Sequence, residues 1–432
     1  MNKKKTLNIA IVGLGNIGSY LYQYLMKNKN QLIKKTNVIP NVKYISAKNK
    51  LKKRKFSIPK KKWLKNYLDA TKLKDVDIIV ELIGGSEGPA KKIVFEALKN
   101  KKHVVTANKA LIAKYGDKLS KLAEKNKVNL EFEAAVAGGI PIVRVIKEGL
   151  VTNTINKIYG ILNGTSNYIL SKMSESKSNF KDVLINAKKL GYAESNPKDD
   201  LDGNDANSKI QILSALSFNS LINKKNITVE GITMVDQIDI QNANLLGYKI
   251  KHLAISELKN NKIIQRVHPC LVNKNSYISN INGVLNAVII EGTPIGKFTI
   301  QGEGAGPGPT TSALVSDICS ILRGNIKLPF SIPNKNRKKI KSLNISNEIF
   351  SSYIRLDVID KTGVLSSITK ILSKNKVSVK RLIQNPFKSK KYASIIIISH
   401  KAKNYNLEKS IKEIQKQKFI INKPKFFRIE EI

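Results

Sequence analysis

A carboxylate and an amine four residues apart, Asp205 and Lys209, project from one face if their stretch is helical. Such a pair can hold and tune an ammonium for proton transfer. It closes the run GYAESNPKDDLDGNDANSK, Gly191 to Lys209, which also brings Glu194, Asp199, Asp200 and Asp202 close in sequence. Pro197 and Gly203 punctuate the approach to the expected helix, and Asp200 or Asp202 is placed to cap its start. Standing alone, an acidic run of this kind reads as a surface loop beside a solvated ion pair. The elements around it give it weight.

The first is a nucleotide loop. Leu7 to Val12 is an apolar, β-branched run, and Gly13-Leu14-Gly15-Asn16-Ile17-Gly18 follows, then helical periodicity through Leu25. Strand, G-x-G-x-x-G and helix in that order fit a dinucleotide site, with the helix start facing a pyrophosphate. Val42 to Ser46 reads as the second strand. Its end carries Lys48 and no acid, so a 2′-phosphate is favoured over a free ribose hydroxyl, hence NADP(H) over NAD(H). Asp77 to Ile83 is a third strand closed by Gly84-Gly85, and His103 to Thr106 a fourth. Lys109 follows at a carboxyl end, on the rim where open parallel sheets bind ligands. Val128 to Ala135 is expected to be a further strand. Glu133 to Pro141 (EAAVAGGIP) contains adjacent glycines, so its carbonyls can turn inward, and Pro141 opens a helix. Ile155 to Leu162 is a strand, and Gly164-Thr165-Ser166 then opens a helix whose amides and hydroxyls suit a carboxylate.

Composition narrows the class. The chain has 432 residues and 41% hydrophobic content, which suits two to three domains with real cores. No run is apolar enough for a membrane span, and the short N-terminal apolar run reads as a strand rather than a signal peptide. Cys270 and Cys319 alone, far apart, give neither a disulfide framework nor a metal spacing, which fits a reducing cytoplasm. The net charge of +44 raises the question of nucleic acid. Only eight of the 76 basic residues are Arg, the usual bidentate reader of bases and phosphates, and the lysines are scattered without a basic tail. Neither a nucleic-acid nor a membrane partner is expected. Anionic small ligands should still be attracted.

Four motifs together resemble homoserine dehydrogenase: NKA at 108–110, EAAVAGGIP at 133–141, GILNGTSNYIL at 160–170 and GYAES.P..DL.G.DA..K at 191–209. The resemblance implies reversible reduction of L-aspartate 4-semialdehyde to L-homoserine by NAD(P)H. It implies Lys209 as proton donor, Asp205 as the carboxylate working with it, and Lys109 as a second catalytic lysine, near cofactor and substrate, that also takes part in proton transfer. Glu194 would bind the substrate ammonium, with Asp199 and Asp200 in the same pocket and Thr165 at its helix start. Gly13, Gly15, Asn16, Ile17 and Gly18 would hold the dinucleotide, with Lys48, Gly84, Gly304 and Gly306 also at the cofactor. The resemblance implies a sodium ion held largely by carbonyls at Glu133, Val136, Gly138 and Ile140. It also implies a homodimer or homotetramer. A semialdehyde carbonyl that takes hydride becomes an alkoxide and needs a proton at once; a partly buried lysine with a lowered pKa can supply it. His268, with no partner in sequence, reads as structural.

After residue 325 the chain is rich in Lys, Asn, Pro and Ser and reads as a linker. Strand, helix, strand, strand, helix, strand follow from residue 352 onward, with D-x-x-G-V-L at Asp360 to Leu365. This resembles an ACT domain, an amino-acid-sensing module that implies L-threonine feedback, with Asp360, Gly363 and Val364 shaping the effector loop. The expected fold is α/β: a Rossmann-type dinucleotide-binding domain (1–140), an α+β substrate and dimerisation domain (141–325, with 300–325 returning to the nucleotide domain), a linker (326–346) and a C-terminal ferredoxin-like ACT domain (347–432). With nothing ahead of the first strand, no fused kinase is expected. A catalytically silent amino-acid and nucleotide sensor is the alternative, and the presence of both Asp205 and Lys209 weighs against it.

Overall fold

The structure is a computed structural model, and it describes residues 4–386 and 391–432. Alternating apolar strands and amphipathic helices build a five-stranded sheet first. Its strands are β1 (Thr6–Val12), β2 (Ile39–Ser46), β3 (Ile78–Glu81), β4 (His103–Thr106) and β5 (Leu130–Glu131), in the order β2-β1-β3-β4-β5. All neighbours are parallel. β1 is flanked on one side by β2 and on the other by β3, so the order reverses at its carboxyl end, the usual ligand crevice of such sheets. The strand expected over 128–135 is shorter: β5 stops at Glu131, and Glu133–Ala135 turns as a 3₁₀ helix. The helix Pro307–Leu322 returns to this sheet, with Leu314 and Ile318 packed in one cluster with Ile9, Ile11 and Leu21. It starts at Pro307, with Pro309 within its first turn.

A second sheet holds twelve strands among the described residues. β6 (Thr154–Ile161), β7 (Ile227–Val229), β8 (Tyr248–Lys259), β9 (Lys262–Asn273), β10 (Leu285–Thr293) and β11 (Gly296–Glu303) form its first half. β8 and β9 are a long antiparallel hairpin turned by Asn260 and Asn261, both at positive φ as a type I′ turn demands. β12 (Lys341–Leu343), β13 (Ile349–Ile359), β14 (Val379–Pro386), β15 (Tyr392–Ser399), β16 (Ala402–Lys403) and β17 (Lys425–Glu430) complete it. The helices Val364–Lys374 and Asn404–Gln415 pack on this half. β17 runs parallel to β9, Arg428 beside Cys270 and Glu430 beside Val272, so the last strand extends the sheet of the middle segment.

The segment read as a linker is well packed. Phe330 is buried against Phe132, with ring centroids 5.3 Å apart. Arg337 stacks on the Phe330 ring and donates to the Ser220 carbonyl at 2.7 and 3.0 Å.

The helix Asn204–Ser217 is buried along nearly its whole length. It begins at Gly203, whose φ of 85° is the left-handed conformation glycine adopts without strain. No side chain caps it, so the capping role expected of Asp200 or Asp202 is not realised. Asp200 lies in the preceding short helix Lys198–Leu201 and points elsewhere.

Candidate active site

The helical turn between Asp205 and Lys209 brings their side chains together: Lys209 Nζ lies 2.8 Å from Asp205 Oδ2. Lys109 reaches the other oxygen, Oδ1, at 2.7 Å. One carboxylate thus bridges two ammonium groups. Asp205 and Lys209 are buried, at 6% and 8% exposure, whereas the Lys109 side chain is 44% exposed. Lys209 also donates to the Leu162 carbonyl at 2.6 Å. Burial pushes the Asp205 carboxyl up, but Lys209 and Lys109 outweigh it and hold the group well below the usual carboxylate range. Burial pulls the Lys109 ammonium down; the charges of Asp205, Asp200 and Glu194 and the hydrogen bond to Asp205 outweigh it, so the net shift is upward. That is opposite in direction to the lowered value expected of a proton-donating lysine. The cause is the bridging carboxylate, whose reach to Lys109 is invisible in sequence.

Asn163 ties the acids together. Its side-chain oxygen accepts from Ser166 N at 2.8 Å and caps the helix Gly164–Ser176, which turns its amide nitrogen outward. That nitrogen donates to Asp205 Oδ2 at 2.9 Å and Asp200 Oδ1 at 2.7 Å. Burial, then the Asp205 charge, raise the Asp200 pKa. The Thr165 hydroxyl is within 2.7 Å of the Tyr192 carbonyl and 3.2 Å of Asp200 Oδ2. Thr165 is part of the cleft lining.

These groups form one wall of a cleft of about 620 Å³. Glu194 is at the same wall. Ile17 from the glycine-turn helix, Ala107 after the end of β4, Ala134 and Gly138, and Gly304 and Gly306 complete the lining of the cleft. Asp199 is exposed and outside the cleft walls, as are Lys48 and Gly84. Val136 and Ile140 are buried behind the wall that Ala135, Ala137 and Gly138 form.

The glycine turn has the geometry its spacing suggests. A Cβ on Gly13 (φ 108°) would overlap the Leu82 carbonyl, and one on Gly18 the Gly13 carbonyl. Gly15 faces open space and is the N-cap of the helix Asn16–Lys27, with no side chain bonded to that helix start. Those amides suit a pyrophosphate. Gly13 N donates to the Ser46 carbonyl at 2.9 Å, which sets the end of β2, and the exposed Lys48 after it, beside the turn. Arg54 closes the loop after Lys48 by donating to the carbonyls of Asn49, Lys50 and Lys52. Glu81 accepts from the amides of Ile83 and Gly84, and Asn108 donates to the Gly85 carbonyl while capping the helix that begins at Lys109. The double-glycine turn and Lys109 are thereby fixed to each other.

In the 133–141 turn, the Glu133 carboxylate accepts from Val143 N and Arg144 N, both at 2.8 Å. Burial raises its pKa to about 7 against those two donors. Gly138 packs directly on the Gly304 backbone, where a Cβ would collide. No cluster of three His, Cys, Asp or Glu side chains able to hold a metal occurs among the described residues. Oxygen from backbone carbonyls is a donor set for a hard cation.

At the C-terminal end, Gly363 (φ 87°) is the N-cap of the helix Val364–Lys374. With Lys361, Thr362, Val364, Ser367 and Lys418 it lines a shallow cleft of about 340 Å³. Asp360 is outside it, accepting from Gln384 Nε2 at 3.3 Å. His268 is buried with partners from the last strand, 2.9 Å from Glu430 Oε1 and 3.4 Å from Arg428. Sequence reasoning gave no role to Asn163, Tyr192 or His252. Asn163 carried a signal, as the polar residue ahead of a Gly-Thr-Ser helix start; the other two carried none.

A family model described as "Homoserine dehydrogenase" matches residues 141–319, and "Homoserine dehydrogenase, NAD binding domain" matches residues 13–133. The chain is 38% identical to the homoserine dehydrogenase of Neisseria gonorrhoeae over 417 residues, 95% of each chain. It is 35% identical to that of Bacillus subtilis, covering 92% of each. A crystal structure of a homoserine dehydrogenase from Thiobacillus denitrificans superposes with a TM-score of 0.91 at 35% identity over 99% of each chain. A hyperthermophilic archaeal homoserine dehydrogenase in complex with NADPH matches 75% of this chain and 99% of its own, with a TM-score of 0.61 at 26% identity. With nearly full-length relatives of this kind and both family models matched, the chain belongs to the homoserine dehydrogenases, NAD(P)-dependent oxidoreductases.

Proposed function

We propose that the enzyme reduces L-aspartate 4-semialdehyde reversibly to L-homoserine, with NADPH preferred over NADH, and that Lys209 gives the alkoxide its proton. The observation that carries this reading is the buried Asp205 bridging two lysines on the wall of a cleft shared with the glycine-turn helix. The nicotinamide, when bound, supplies the hydride. Lys209 stands as the proton donor, held by Asp205 and the Leu162 carbonyl. Lys109 starts a helix at the cleft and is the half-exposed cation of the pair, suited to a substrate or cofactor anion. Glu194, exposed at the same wall, is suited to the substrate ammonium, with Asp200 behind it; Asp199 is given only an outer electrostatic role.

Gly13, Gly15, Asn16, Ile17 and Gly18 are the dinucleotide turn of this reading, with Gly84, Gly304 and Gly306 around the cofactor and Lys48 on its 2′-phosphate. Carbonyls of the 133–141 turn, at Glu133, Val136, Gly138 and Ile140, would hold a sodium ion and brace that turn against Gly304. The C-terminal segment is read as an ACT module, supported by its strand-helix-strand-strand-helix-strand order with only the two-residue β16 added before the second helix, and the cleft at Gly363 and Val364 as an L-threonine site. The chain would work in the cytoplasm as a homodimer or homotetramer. NADPH oxidation with L-aspartate 4-semialdehyde, with and without L-threonine, tests the whole reading. Lys48→Ala should narrow the NADPH-over-NADH ratio of kcat/KM by about tenfold, the value of one charge-assisted phosphate contact. An unchanged ratio removes Lys48 from the cofactor.

A further inference from the structure

The acids at the cleft are backed by a buried polar chain that leads to the last strand. We propose that His252 is a positioning residue for the reaction, and that with Glu230 and Arg428 it holds Asn163, and through it Asp205 and Asp200, in register. The inference rests on the assignment of Asp205 to the catalytic pair.

His252 lies on β8, buried, on the sheet face turned toward the acid–lysine helix. Its Nε2 is 3.0 Å from the Glu230 carbonyl, an acceptor only, so Nε2 carries the proton. In the neutral ring Nδ1 is then a bare acceptor, and it faces the Ser166 hydroxyl at 3.3 Å. That hydroxyl has a single proton, given to Asn163 Oδ1 at 2.6 Å, the atom whose placement turns the Asn163 amide toward Asp205 and Asp200, so the ring meets the Ser166 oxygen by packing against it. The same imidazole packs under Gly203: a Cβ there would sit 3.3 Å from its Cε1 and Nε2, so the ring seats the first turn of the helix carrying Asp205 and Lys209. His252 thus touches both supports of the catalytic carboxylate and does not line the cleft.

The far end is held from β17. Arg428, 1% exposed at its side chain, donates through one nitrogen to both oxygens of Glu230 at 2.9 and 3.0 Å. Its other groups are fixed by Asn404 at 2.7 Å and Glu408 at 3.0 Å, from the second C-terminal helix. The backbone of 230–232 is clamped in turn: Glu230 N donates to the Val267 carbonyl at 2.8 Å and Ile232 N to the Leu201 carbonyl at 2.9 Å. A charge on the last strand therefore fixes the carbonyl that fixes the imidazole. Reacting groups displaced by about 1 Å lose on the order of a hundredfold in rate, so a chain of this kind acts on kcat while leaving a distant cofactor site alone.

The test uses the full-length enzyme, with kcat and KM for L-aspartate 4-semialdehyde, the Kd of NADPH, and thermal unfolding as the folding control. His252→Leu should lower kcat by about tenfold or more with the NADPH Kd within about twofold of wild type. His252→Gln, whose amide can still donate to the Glu230 carbonyl, should recover most of the loss. Glu230→Gln, the milder change should His252→Leu not fold, should lower kcat by about threefold or more in the same pattern. Combined with Asp205→Asn, His252→Leu should cost less than it does alone, as expected of residues acting as one unit. Wild-type kcat in a folded His252→Leu or Glu230→Gln enzyme, or losses that simply multiply in the double variant, would overturn the proposal. Wild-type kcat in Asp205→Asn would instead overturn the site assignment beneath it.

Discussion

Asp205 illustrates how much one side chain is asked to do. It is an acid in a protein of net charge +44, and it neutralises two lysines at once, the half-exposed Lys109 and Lys209, which is too buried for water to do so. Its low pKa follows from those partners and not from its surroundings, which on their own would raise it. His252 is the opposite case: burial holds it neutral, with its pKa pulled down to about 4 from an ordinary 6.5. The unfolded chain therefore takes up a proton between pH 6.5 and 4 that the folded chain refuses, so stability falls as pH drops through that window. At roughly 1.4 kcal/mol per unit, this one ring costs about 3 kcal/mol by pH 4. In His252→Gln the melting temperature should fall less between pH 7 and 4.5 than in wild type. Parallel melting curves for the two proteins would show that the imidazole is not held neutral. Loss of the Asp205 ion pairs belongs to lower pH, below the ordinary carboxylate value, and does not mask the effect.

The glycine turn separates two jobs that sequence alone merges. Gly13 is required by the fold: its φ is 108° and the Leu82 carbonyl occupies the space a Cβ would need. Gly15 is required by nothing in the protein, since its Cβ would meet open space. Gly15→Ala should thus leave the melting temperature within a degree or two of wild type while weakening NADPH binding at least about tenfold. Gly13→Ala should lower both, with a stability loss of about 2 kcal/mol. Equal melting losses in the two would contradict this division. The turn was legible because strand, glycine spacing and helix are local. The Asp205–Lys209 pair was legible for the same reason, being one helical turn. The cap on that helix was misread because Gly203, at positive φ, starts it without a side chain. The Glu133 segment curls into a 3₁₀ turn because its carboxylate is drawn to the amides of Val143 and Arg144. In sequence His252 is only one more polar position in the alternating run YKIKHLAISELK. Its partners lie 22 and 86 residues away, beyond any periodicity.

Across the whole molecule, the second sheet joins the middle and C-terminal segments without a seam. Glu430 on β17 bonds Arg266 at 2.6 and 2.8 Å and His268 at 2.9 Å, both on β9. Burial alone would push its carboxyl up; Arg266 outweighs that and holds it well below the usual range. Glu430→Ala would leave buried cationic and imidazole groups without their acid, a change that typically costs about 3–5 kcal/mol. Glu257 still reaches Arg266, so the lower end, a drop of about 3 kcal/mol in unfolding free energy, is the expected result of urea denaturation. A drop below 1 kcal/mol would mean the strand is not held by this acid. The archaeal structure, covered over 99% of its own length, matches 75% of this chain, so part of this chain has no counterpart there. The pairing was not readable from sequence because β17 and β9 are parallel and more than 150 residues apart, and no short-range pattern specifies it.

Lys209, buried on Asp205, lines the same cleft as Ile17 of the glycine-turn helix. The most direct measurement is the steady-state rate of NADPH oxidation by Lys209→Ala with saturating L-aspartate 4-semialdehyde, alongside an NADPH titration of the same protein. The expected result is a fall in kcat of at least about a thousandfold, within the range for a lost general acid, with NADPH bound as tightly as by wild type. Turnover near the wild-type rate would contradict it.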